Sequence, residues 1–238
     1  MSMKQLVKPL PSAAIFGIGG FIAMMLRFWL LKTGVDSRGL LVTSHPGHIL
    51  SYILSIALPV ALLVLLGEKK RHLHFSVIPV ACAGFFVQAI GFLIAAWMMI
   101  SSTTLVMHTV AGVLGLVAAL CAVVAGIYAI RGQRTHPLFF CPGTLFFACF
   151  LFCRYQQWSA EPELQRYAFQ LTAAVVSMFA FYQRAALGAK IGSGKQYIFW
   201  SRTAVLLCLT AIPGSQLPLM WLCMAMSFAL DCCEEIAQ

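Results

Sequence analysis

The sequence predicts an all-α, polytopic transmembrane helix bundle of about eight spans with both termini in the cytoplasm. Three observations carry that expectation. From Ala13 onward, long apolar stretches recur about eight times, each followed by a short polar connection. With 61% hydrophobic and 10% charged residues, the chain has too little polar surface to face water, so lipid must be its solvent. The apolar runs do not alternate as barrel strands would, and Pro11, Pro46, Pro79, Pro137, Pro162, Pro213 and Pro218 fall at or near their boundaries.

The first span, Ala13–Leu31, follows Lys4 and Lys8 and is itself followed by Lys32. It lacks a small-x-small site near its end, so it reads as an uncleaved anchor and not as a secretory signal. The second, His48–Leu66, contains Pro59, which removes the backbone bond to Ser55 and predicts a kink. The third, Val77–Ile100, carries Gln88 as a buried hydrogen-bonding group.

The fourth span, Leu105–Ile130, places Gly115, Ala119, Ala122 and Gly126 at spacings of four, three and four. Such a ridge lets another helix approach closely. His108 lies near the outer end of this span, where a hydrogen bond to a neighbouring helix is the simpler reading and a proton relay the alternative. The remaining spans are Leu138–Phe152, Tyr167–Tyr182, Ile198–Ile212 and Leu219–Leu230. The fifth, seventh and eighth are short for a hydrocarbon core of about 30 Å and must extend into their flanks or lie partly in the interface. Seven spans is therefore the competing count.

Charge gives the orientation, because connections rich in Lys and Arg stay cytoplasmic. If the spans alternate, one side collects Lys4, Lys8, Lys69, Lys70, Arg71, Arg131, Arg134, Arg184, Lys190, Lys195 and Arg202. The other keeps Arg27, Lys32, Arg38, Arg154 and Arg166. Both termini then lie inside, which requires an even number of spans. The net charge of +9 thus reports membrane topology, and no nucleic-acid partner is expected.

No connection is long enough to bury a core of its own, so residues 1–238 form a single transmembrane domain. A parallel four-plus-four repeat, 1–130 and 131–238, rests only on the likeness of Arg27-Phe28-Trp29 to Arg154-Tyr155 with Trp158. The nine cysteines include no C-x-x-C pair, and the His45/His48 and His72/His74 pairs lack further ligands at metal spacing, so neither metal nor cofactor is expected. The loop from Gly188 to Gln196 has neither the spacing nor the Ser/Thr of a phosphate-binding loop. Apart from Asp231 at the very end, no span contains Asp or Glu, which removes most of the case for an ion-coupled carrier.

Three functional classes survive. The first is a non-enzymatic receptor, accessory or assembly protein whose partners are membrane lipid and other membrane subunits. A permease for a neutral or anionic small molecule is the first alternative, and an enzyme acting on lipid or lipid-linked substrate at the outer rim is the second. The candidate ligand site is that rim: Arg154, Trp158, Glu161, Glu163 and Arg166, with Arg27 and Trp29 from the first span. Arginines on the face that positive-inside logic would keep clear need something to hold them. Pairing of Arg154 or Arg166 with Glu161 or Glu163 is the structural expectation, and an arginine that grips a phosphate or carboxylate is the functional one.

Overall fold

The computed structural model describes residues 10–34, 45–67, 79–101, 106–133, 135–158 and 164–231. They form eight α-helices: α1 Leu10–Thr33, α2 Pro46–Gly67, α3 Pro79–Ser101, α4 Val106–Ile130, α5 Cys141–Trp158, α6 Leu164–Gly188, α7 Gly194–Ala211 and α8 Pro218–Asp231. A 3-10 turn, Pro137–Phe140, leads into α5. No strand occurs among the described residues.

The local reasons are those of ordinary helix chemistry. Pro46, Pro79 and Pro218 occupy first helical positions, where a missing N–H costs nothing. His136 caps the 3-10 turn with its side chain. Gly132, at φ +69°, ends α4 in the left-handed conformation, with the Gln133 N–H returning to the Tyr128 carbonyl.

Among the described residues, five helical stretches are long and apolar enough to cross a membrane: Ala14–Thr33, Pro46–Val64, Cys82–Ser101, Val106–Ile130 and Pro137–Gln156. The chain is thus an all-α bundle with the makings of a multi-pass membrane protein. The three stretches that looked short in the sequence each have a structural answer. The fifth runs on to Trp158 and gains the 3-10 turn. Helix α7 needs little lipid-facing surface because most of it is wrapped by protein, including Ser201, Arg202, Thr203 and Thr210. Helix α8 has 14 residues, about 21 Å at 1.5 Å per residue, and its buried face includes Met220, Trp221, Met224, Ala225, Ser227 and Phe228.

Successive helices run antiparallel. Gly112 and Gly115 of α4 lie against Ile100 and Ala96 of α3, whereas Gly126 lies against Phe85 and Phe86. Gly84 of α3 faces the end of α8 near Leu230, and Gly91 faces Met220, Cys223 and Met224. The end where α1, α3, α5 and α7 begin is called inner here, and the opposite end outer, following the orientation expected from charge.

Helices α3, α4, α5, α6, α7 and α8 pack in that order into a ring that α8 closes against α3. Helix α1 lies along α7 outside the ring, with Gly20 admitting Leu206 and Leu209, and α2 rests on α1 and α7. The axis of the ring is filled with rings. Phe92 of α3 reaches Phe181 of α6 across the middle at 5.6 Å between centroids, and Phe147 of α5 reaches Trp221 of α8 at 6.3 Å. Phe146, Phe147, Phe150 and Trp221 are fully buried in this cluster.

Candidate functional site

The polar chemistry of the bundle gathers at its two ends, and the outer end is built around the turn between α7 and α8. Gly214 takes φ +75° there, which a side chain would resist, and the Ser215 N–H returns to the Ile212 carbonyl. The Ser215 hydroxyl oxygen then accepts from the Leu217 N–H at 3.0 Å and from the Trp221 indole N–H at 3.0 Å. Three other helices reach this turn or its approach. Gln170 of α6 donates to the Gly214 carbonyl at 3.2 Å, and Arg154 of α5 donates to Gln216 Oε1 at 2.6 Å. Arg27 of α1 reaches the Thr210 carbonyl at 3.5 Å and stands over the Phe169 ring at 4.6 Å.

An aromatic stack completes that side of the rim. His48 stacks on Tyr52 at 4.8 Å, and Tyr52 packs on Phe169 at 4.7 Å. His108 of α4 is buried, and its Nδ1 has no hydrogen-bond partner among the described residues.

The structure therefore brings together two of the rim residues singled out in the sequence. Arg27 and Arg154 are both buried, and both fasten the α7–α8 connection. Glu161 and Glu163, and the side chains of Trp158 and Arg166, lie outside the described residues. Among the described residues Arg154 donates to the amide of Gln216, a residue the sequence did not single out. Trp29 is exposed and meets His45 edge-on at 4.7 Å.

The small residues of α4 lie where backbones approach. A Cβ on Gly115 would sit 3.1 Å from Ala96 Cβ and 3.2 Å from Phe146, and one on Gly126 would sit 3.2 Å from Phe86. Ala119 and Ala122 are buried on the same helix. The ridge thus faces α3 and α5 inside the ring.

The inner end carries a different device. Arg184 of α6 forms a buried ion pair with Asp231, the last residue of α8, and donates to the Tyr197 hydroxyl of α7 at 3.0 Å. Its guanidinium stands 4.6 Å from the Phe85 ring centroid, 4.9 Å from Phe140 and 5.9 Å from Tyr197. Asp231 is the one acidic side chain among the described residues. The sequence reading placed Arg184 in a basic cytoplasmic loop; it belongs instead to α6, which continues to Gly188. The available signal was Asp231 itself, because a lone carboxylate on a span calls for a buried cation as partner.

Among the described residues no group of three or more His, Cys, Asp or Glu is placed to hold a metal. What the arrangement does chemically is fix helices to one another through charge-assisted hydrogen bonds at both ends of an aromatic core. No family model, curated protein or solved structure matches the chain.

Proposed function

We propose that this chain is a non-enzymatic, multi-pass membrane protein of the receptor or accessory type, surrounded by lipid and working beside other membrane subunits of a plasma membrane. The observation that carries the reading is the filled axis. Phe92 against Phe181 and Phe147 against Trp221 link opposite helices of the ring at mid-height, where a permease would need a path. The polar groups at both ends support it too, because they bond helix to helix. Exposed apolar side chains such as Trp97, Leu120 and Leu63 give lipid and neighbouring spans a surface to cover.

Site-specific photocrosslinking in living cells tests this. A crosslinker replacing Trp97, Leu120 or Leu63 in turn should give one discrete membrane-protein adduct from one of these faces and only lipid from the others. Lipid adducts from every face would remove the accessory reading. Reporter fusions after Lys70, Ser102, Arg134, Glu163, Lys195 and Gln238 should read cytoplasmic, external, cytoplasmic, external, cytoplasmic and cytoplasmic.

A permease for a neutral or anionic small molecule is the second reading, favoured by the closure of six helices into a ring. Proteoliposomes challenged with glycerol, acetate or phosphate separate the two. The receptor or accessory reading requires swelling no faster than in protein-free vesicles. Protein-dependent flux that Phe147→Ala accelerates would establish the permease.

A further inference from the structure

We propose that the Arg184–Asp231 pair is a latch on the inner end of α8: neutralising Asp231 lets the last turn of α8 leave the ring while Arg184 stays in place. The two partners of the pair are held very unequally. Arg184 rests among Phe85, Phe140 and Tyr197, which belong to α3, the 3-10 turn and α7, and it donates a further hydrogen bond to the Tyr197 hydroxyl. These rings and the hydroxyl keep a cation solvated after the carboxylate goes. Asp231 is held through those same two residues: it accepts from Arg184 and from the Tyr197 hydroxyl, while its Oδ1 is buried with no hydrogen-bond partner among the described residues.

One turn earlier on the same face of α8, the Ser227 hydroxyl is also buried without a partner among the described residues. Both residues lie against Gly84 of α3, where a Cβ would stand 3.3 Å from the Ser227 carbonyl and 3.5 Å from Asp231 Oδ1. The contact between the end of α8 and α3 is thus close but only half satisfied in hydrogen bonds, and a half-satisfied buried network is the part of a structure that yields first. The rest of α8 is held without the pair. Trp221 bonds to Ser215 and packs on Phe147 and Phe150, and Phe228 packs on Phe181 at 5.3 Å. Release of the latch accordingly moves the turn beyond Phe228 and leaves the outer end seated.

The latch goes beyond the receptor or accessory reading and does not depend on it: it describes which part of the ring moves, whatever signal uses the movement. The test is thiol labelling of the full chain in lipid nanodiscs, with the small substitution Ser227→Cys as reporter and peptide mapping to separate it from native thiols. Cys208, buried at mid-height beside Ser177, serves as the control for global opening. Adding Asp231→Asn should raise labelling at position 227 about tenfold while Cys208 stays protected. The charge swap Arg184→Asp with Asp231→Arg should not restore protection, because the aromatic surroundings at position 184 suit only a cation. Unchanged labelling in Asp231→Asn overturns the latch, and so does a swap that restores protection, which would mark an ordinary ion pair. If Asp231→Asn does not fold, Tyr197→Phe decides. A rise confined to position 227 supports the latch, and exposure at 227 and Cys208 together overturns it.

Discussion

The two ends of the bundle use the same residue type to opposite effect. At the outer end, Arg27 and Arg154 bond to a backbone carbonyl and a side-chain amide around one turn, and neither of these acceptors carries charge. At the inner end, Arg184 meets a carboxylate and stands among three aromatic rings. The difference teaches where the stability of each end resides. A guanidinium that bonds to neutral acceptors near a rim can exchange them for water at modest cost. Removing the arginine from the buried pair is costly, because the carboxylate left behind has lost its counterpart in a low dielectric.

The largest expected effect breaks the inner end. Arg184→Gln leaves Asp231 buried with no cation, and the fold should lose about 3–5 kcal/mol, read as reversible unfolding in mixed micelles. Arg27→Gln at the outer end should lose less than half as much under the same conditions. Equal losses at the two ends would erase the distinction between them.

This contrast also marks what the sequence disclosed. Helix positions were legible because the spans are apolar runs and proline marks several of their starts: α2 begins at Pro46, α3 at Pro79 and α8 at Pro218, within two residues of the expected starts. Arg27 and Arg154 stood out by lying on the side with few basic residues, and both lie at one end of the bundle and bond around one turn. The inner pair was hidden for a physical reason. Arg184 lies 47 positions from Asp231, and it stands a few residues before the basic Lys190 and Lys195, so the positive-inside pattern absorbed it. Only the closing of the ring, with α8 laid between α7 and α3, puts the two charges together. The bond of Arg154 to Gln216 was illegible likewise, because nothing local to either residue requires the other.

A second, smaller effect tests whether both ends hang from one rigid core. Gly115→Leu would force a side chain into Ala96 and Phe146, and should cost about 1–3 kcal/mol by overpacking. A bulky replacement at Leu120, which is exposed, should leave the melting temperature in detergent unchanged. Equal tolerance at both positions would mean that α4 can shift, and that the two ends are not coupled through the ring.

The outer end itself should respond weakly to loss of its neutral acceptor. Gln216→Ala removes the amide that Arg154 holds at 2.6 Å, yet Gln216 is exposed and water can take its place. A cost of about 1 kcal/mol is expected, measured in the same unfolding assay. A cost as large as that of Arg184→Gln would show that Arg154 depends on this one bond.

A last expected effect isolates a single hydrogen bond shared between the outer turn and the aromatic core. Trp221 is the residue where the two meet: its indole N–H donates to Ser215 at 3.0 Å, and its ring lies against Phe147 and Phe150. Trp221→Phe keeps an aromatic ring in the core but removes the N–H. The Ser215 hydroxyl oxygen retains the Leu217 N–H as donor, so no buried acceptor is orphaned. The loss should be about 0.5–1.5 kcal/mol for the bond, with a further part for the smaller ring. Ser215→Ala removes the same bond from the other side and leaves the ring intact. If the bond is what matters, the double variant should cost little more than Trp221→Phe alone, and a fully additive double variant would assign the effect of Trp221→Phe to packing in the core.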